Sequence, residues 1–90
     1  MSSSRPNVDP RAVKVAVDDD NLTVDLADGR RVTVPLVWFP RLLHADAAAR
    51  KNWQLLGDGQ GIRWPSVDED ISVEGLLRGT SAPGAIKRAV

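Results

Sequence analysis

Between Val13 and Leu36 the chain alternates apolar and polar residues in three successive runs separated by two polar turns, and few folds accept that pattern. Val13, Val15 and Val17 alternate with Lys14 and Ala16; Leu22, Val24 and Leu26 alternate with Thr23 and Asp25. Val32, Val34 and Leu36 alternate with Arg31, Thr33 and Pro35. Side chains of an extended chain point to opposite faces with period two, so each run predicts a half-buried strand. Asp18-Asp19-Asp20-Asn21 supplies the first turn. Ala27-Asp28-Gly29-Arg30 supplies the second, and its Asp-Gly pair predicts a type I′ hairpin with positive φ at both central residues. Pro35 has no N–H and belongs at a strand edge or end. The product is a three-stranded antiparallel meander with one apolar face.

That face needs a cover. Arg41-Leu42-Leu43-His44 and the Ala-rich run from Ala45 to Trp53 favour helix, with basic residues in the last turn and Asp46 placed as a cap. Leu42, Ala45, Ala49 and Trp53 recur at spacings of three and four, which predicts one or two short helices on the sheet. Trp53 to Trp64, apolar at both ends around Gly57-Asp58-Gly59-Gln60-Gly61, reads as a second hairpin or strand pair. Ser72, Glu74 and Gly79 are the N-cap, first-turn acid and C-terminal stop of a short helix of roughly six residues. In this last stretch Ile71, Leu76 and Leu77 are expected to bury. The fold class is α+β.

Residues 11–79 form a single domain in this reading, with residues 1–10 a disordered lead and residues 80–90 a flexible tail. The hydrophobic content of 42% includes much Ala, so the four aromatics, Trp38, Phe39, Trp53 and Trp64, must form the hub of the core. Twelve basic and twelve acidic residues give a net charge of zero, which argues against an electrostatically driven nucleic-acid or membrane binder. Zero cysteines exclude disulfides and thiolate chemistry. The longest apolar run, Leu36 to Phe39, is four residues, far short of a membrane span, and the default location is cytoplasmic.

No constellation reads as catalytic. The Gly57–Gly61 loop lacks the spacing and lysine of a phosphate loop and reads as a turn. Asp18–Asp20 and Asp68–Asp70 could offer carboxylates to a hard cation, but neither matches an EF-hand loop, and both read as solvated loops. His44 has no partnered nucleophile, and Ser66, Ser72 and Thr80 lack a triad-like context. We therefore expect neither an enzyme nor a cofactor or metal. The charges are segregated: residues 18–27 and 64–77 each carry four acids and no base, whereas residues 28–63 carry six bases and three acids. Such segregation marks either a solvated surface or a partner face. Trp38-Phe39-Pro40-Arg41 either plugs the sheet or joins residue types enriched at binding hot spots. Trp38, Phe39, Arg41, Asp68, Glu69 and Asp70 are accordingly the candidate partner-binding residues, with the three acids expected on the surface.

Three stretches together resemble the bacterial domain of unknown function 2442 family. They are Asp28-Gly29-Arg30, the run Pro35-Leu36-Val37-Trp38-Phe39-Pro40-Arg41, and Asn52-Trp53 followed by the long run from Gly61 through Trp64-Pro65 and Asp68-Glu69-Asp70-Ile71-Ser72-Val73 to Leu77. Where that family often shows His, this chain has Arg63. The resemblance implies a small α+β fold with antiparallel strands. Some relatives carry a helix-turn-helix domain after this one; only residues 80–90 follow the motif here, and no such domain is expected. Relatives encoded beside another small protein suggest a toxin–antitoxin pairing. The expected function is a non-enzymatic protein-interaction module, antitoxin-like, with a small and basic protein partner. The alternative is a ligand-sensing or transcription-regulatory domain. Homodimerisation through an exposed edge of the meander is a further expectation, while membrane association and direct nucleic-acid binding are not expected.

Overall fold

The computed structural model describes residues 8–82, so the outermost parts of both expected tails lie outside the described residues. Strands β1 (Ala12–Val17), β2 (Asn21–Leu26) and β3 (Arg31–Pro35) form an antiparallel sheet in that order. A 3₁₀ turn at Leu36–Trp38 leads into helices α1 (Pro40–Leu43) and α2 (Ala47–Lys51). A second antiparallel sheet follows, built in order from β4 (Gln54–Leu56), β5 (Gly61–Trp64) and β6 (Glu69–Ser72). Helix α3 (Val73–Arg78) closes the described chain. The α+β class and the meander stand as expected, and Pro35 is the last residue of an edge strand.

The meander departs from its sequence pattern at two places. Strand β2 keeps strict alternation, with Leu22, Val24 and Leu26 buried. In β1, Ala12 pairs with Leu26 but Lys14 pairs with Asp25, so Val13 is an extra residue in the ladder. A bulge of this kind turns one side chain out of phase. Ala12 is buried in place of Val13, which is 54% exposed. The second departure is the β2–β3 turn. Leu26 accepts from the Gly29 N–H at 3.0 Å and donates to the Arg30 carbonyl at 2.8 Å, and only Gly29 (φ 94°) has positive φ. This is a three-residue loop ending in a glycine bulge, not the type I′ turn that Asp-Gly suggested. The Asp28 side chain is engaged instead by Arg30 and by the Asp9 N–H, and the Arg30 guanidinium lowers its pKa to about 2.

The helices start where the caps predict. Asp46 accepts from the Ala49 N–H at 2.7 Å, and Ser72 from the Gly75 N–H at 3.2 Å. Gly79 ends α3 in a left-handed conformation. Leu42 buries completely, whereas Ala45, Ala49 and Trp53 are half-buried. Leu76 buries, but Leu77, adjacent on the helix, falls on the outer side and is 42% exposed, against expectation.

One core joins both sheets. Leu22, Val24 and Leu36 from the meander side meet Ile62, Trp64 and Ile71 of the second sheet, with Phe39 and Leu42 between. Trp64 and Phe39 are buried, while Trp38 and Trp53 pack half-exposed against the same cluster. Two polar contacts fix the layers. The Trp64 indole N–H donates at 3.0 Å to the Arg50 carbonyl at the end of α2, and the Ala12 N–H donates at 2.7 Å to the Gly59 carbonyl in the β4–β5 turn.

Strand β6 was hidden in the sequence. Glu69-Asp70-Ile71-Ser72 alternates buried and exposed, so it follows the strand pattern, but an acid occupies an inward position. The stretch therefore reads as an acidic loop until its pairing with β5 is seen.

Candidate interaction surface

The residues singled out in the sequence come from two connections. After β3 ends at Pro35, the Leu36 N–H bonds the Asp20 carbonyl, and the 3₁₀ turn sends Leu36 inward. Phe39 is inward as well, whereas Trp38 stays half-buried. Pro40 occupies the first turn of α1, where its missing N–H costs nothing. Arg41, exposed on α1, then reaches 27 residues along the chain and donates at 2.5 Å to the Asp68 carbonyl.

The second connection runs from Trp64 through a 3₁₀ turn (Pro65–Val67) to β6. Asp68 adopts φ 53°, ψ 46°, the one positive φ among the described non-glycine residues. Aspartate tolerates this left-handed conformation better than most side chains. The turn places Glu69 opposite Trp64 and Asp70 opposite Arg63 in the β5–β6 ladder. Arg63 donates to Asp70 at 2.8 Å and to Asp68 at 2.9 Å. The two carboxylates, Asp70 foremost, raise the Arg63 pKa above its ordinary value.

The three acids are therefore not equivalent. Asp68 and Asp70 are exposed, as expected, and share one arginine. Glu69 is buried, which corrects the expected exposed acidic triplet: it opens β6 facing the core, Asp70 after it faces the other way, and Asp68 lies before the strand in the left-handed turn. Burial raises its pKa, opposed by the positive field of Arg41. Phe39 is likewise in the core and offers no free surface, so its part in the candidate set reduces to lining a cavity. That cavity, about 210 Å³, brings Phe39 and Glu69 together with Asp70, Ser72, Gly75 and Thr80.

The other acidic run is structural. Asp18 accepts from the Asp20 and Asn21 N–H groups and shapes the β1–β2 turn. Asp19 pairs with Arg50 at 2.8 Å. Arg50 also donates to the Leu42 carbonyl at 3.0 Å and the Leu43 carbonyl at 2.8 Å, satisfying the C-terminal end of α1. His44 is exposed at that same end. The hydroxyls are employed locally: Ser66 accepts from Asn52, and Ser72 caps α3. Among the described residues no three His, Cys, Asp or Glu side chains gather as a metal site. No described helix is long and apolar enough to cross a membrane.

Arg50 and Arg63 are the organising residues that sequence reasoning missed. Arg63 carried a signal, since recognising β6 would have set it across from Asp70. Arg50 carried none, because its partners lie in an earlier helix and an earlier turn.

A family model described as "Protein of unknown function (DUF2442)" matches residues 12–82. The chain belongs to this family. The DUF2442 match covers both sheets and all three helices. A crystal structure at 2.75 Å resolution of a protein of unknown function from Rhodospirillum rubrum ATCC 11170 is similar, with TM-score 0.70 and 29% identity. The similarity covers 82% of this DUF2442 chain and 92% of that one. No curated protein matches the sequence.

Proposed function

We propose that the chain is a non-enzymatic protein-interaction module whose contact face is built from Trp38, Arg41, Arg63, Asp68 and Asp70. The observation that supports this reading is the Arg63 fork. One guanidinium holds two exposed carboxylates at 2.8 and 2.9 Å while Arg41 clamps the backbone between them. Exposed ion pairs add little to stability, about 0–1 kcal/mol each, so folding alone gives weak reason for the arrangement. What the fork does offer is a pre-ordered set of alternating charges, which lowers the entropy cost of docking a partner. The left-handed Asp68 fits the same reading, since strained backbone concentrates at functional sites.

An antitoxin-like role, in which the domain masks a small basic protein, is the specific form we favour. Asp68 and Asp70 keep 79% and 58% of their side-chain surface exposed and can exchange Arg63 for a partner's cation. The test is to co-purify partners from the native host with the wild-type chain and with Asp68→Lys/Asp70→Lys. A small basic protein retained in near-equal amount by the wild type and lost by the variant supports the reading. Equal retention by both refutes it.

The cavity at Glu69 favours the alternative of a ligand-sensing domain. A thermal shift by a small cationic ligand that disappears in Glu69→Gln would select that alternative over the charged face.

A further inference from the structure

We infer that the cavity between β6, α3 and residues 80–82 binds a small primary ammonium ion with the Glu69 carboxylate as its counter-charge, which rests on the ligand-sensing reading above and gives that ligand a chemical class. Two residues that work against stability meet in this cavity. Glu69 lines it with 8% of its surface exposed. Among the described residues no cation pairs with its carboxylate. Arg41, whose positive field reaches it, donates to the Asp68 carbonyl instead. The N–H of the following residue, Asp70, faces it as a donor. A carboxylate has about four acceptor sites and buried charges are ordinarily paired, so most of its capacity is open to the cavity.

Gly75 is the second such residue. It sits inside α3, where glycine is less favourable than alanine, and its φ is not positive. Beyond its own helix backbone, a Cβ would meet the Ser72 Cβ at 3.6 Å and the Thr80 Cβ at 3.7 Å, ordinary contact distances. Neither backbone conformation nor close packing therefore calls for glycine. What the missing side chain leaves is space in the cavity.

The rest of the lining sets the ligand's chemistry. The hydroxyls of Ser72, Thr80 and Ser81 supply acceptors beside the carboxylate, and Phe39 supplies an apolar wall. Asp70, the other acid there, is held by Arg63. An ammonium group carries three N–H donors on a compact charge, which suits one carboxylate among hydroxyls. A guanidinium fork needs both carboxylate oxygens, for which the Asp70 N–H competes, and a quaternary ion donates no hydrogen bond. A cavity of about 150 Å³ holds benzene, so this one, about 210 Å³, holds a ligand of about five to eight heavy atoms.

The test titrates n-butylammonium, tetramethylammonium and methylguanidinium chlorides, at constant ionic strength, into the isotope-labelled chain and follows amide NMR shifts. n-Butylammonium should move the Ile71, Gly75 and Thr80 amides with a dissociation constant of about 1–10 mM, the range open to so small a ligand. Glu69→Gln should weaken binding about 10- to 100-fold, the loss of a charge-assisted hydrogen bond. Gly75→Ala, whose methyl group fits the fold but fills the cavity, should weaken it about 5-fold or more. The other two cations should bind the wild type at least about 10-fold more weakly. Unchanged n-butylammonium binding in either variant overturns the inference. Methylguanidinium or tetramethylammonium binding as tightly, and lost in Glu69→Gln, overturns the ammonium assignment and leaves the ligand-sensing reading standing. No saturable shift with any of the three overturns both.

Discussion

Gly59 is where the two sheets are locked together, and replacing it by alanine tests that lock. Its φ is +104°, and a Cβ there would lie 2.4 Å from the Ala12 carbonyl oxygen and 3.0 Å from the Ala12 nitrogen. Left-handed backbone costs an alanine about 1–2 kcal/mol, partly offset by about 0.4–1 kcal/mol from the stiffer unfolded chain. No Cβ sits 2.4 Å from a backbone oxygen, so the turn must withdraw from β1. The 2.7 Å bond from the Ala12 N–H to the Gly59 carbonyl is then lost. An unsatisfied buried amide costs about 1–3 kcal/mol. The sum is about 3 kcal/mol, against a total stability of about 5–13 kcal/mol for a domain of this length. Gly29→Ala is the control: its φ is +94°, but nothing lies within 4 Å of its Cβ, so it should lose only about 1 kcal/mol from the φ cost. Urea denaturation followed by tryptophan fluorescence measures both. With a slope near 1 kcal/mol/M, Gly59→Ala should unfold about 2–3 M earlier than the wild type. Equal losses in the two variants would refute the steric argument and with it the role of this contact.

Two further perturbations probe the core. Glu69 has a raised folded-state pKa, so the native state holds its proton more tightly than the unfolded chain does. Its stabilising contribution is therefore present below the unfolded value near 4.5 and is lost as pH rises through the folded value. Glu69→Gln should be more stable than the wild type at pH 7, with the advantage shrinking as pH falls toward 4.5; a less stable variant at pH 7 would mean that the attraction of Arg41 outweighs burial. Trp64→Phe removes the donor to the Arg50 carbonyl and leaves a void at a fully buried site, and it should cost about 2–4 kcal/mol in the same urea assay. A loss below about 1 kcal/mol would show that α2 does not depend on that bond.

The acidic triplet shows why the candidate surface was only partly legible. Residue types marked Asp68, Glu69 and Asp70 as charged, and charge alone predicts exposure. Pairing with β5 overrides that prediction, because once the segment from Glu69 is a strand its first residue faces the core and Asp70 faces out. Burial of the Glu69 carboxylate is tolerated beside Arg41 and a small cavity rather than avoided. The same pairing sets Arg63 between the two remaining acids, a relation between neighbouring strands that no reading of consecutive residues contains.

Local chemistry by itself determined the meander, the short helical stretch that follows it, the caps at Asp46 and Ser72 and the stop at Gly79. Each depends on periodicity or on hydrogen bonds between residues three or four apart, so the necessary partners are present in the linear chain. The tertiary structure decided which valine of β1 turns outward, which of Leu76 and Leu77 buries, and how the β2–β3 turn closes. It also decided where Arg50 and Arg63 find their partners. Those outcomes depend on ladder register and on contacts between distant segments. A one-residue bulge is enough to reverse a face, and nothing in the composition of the strand announces it.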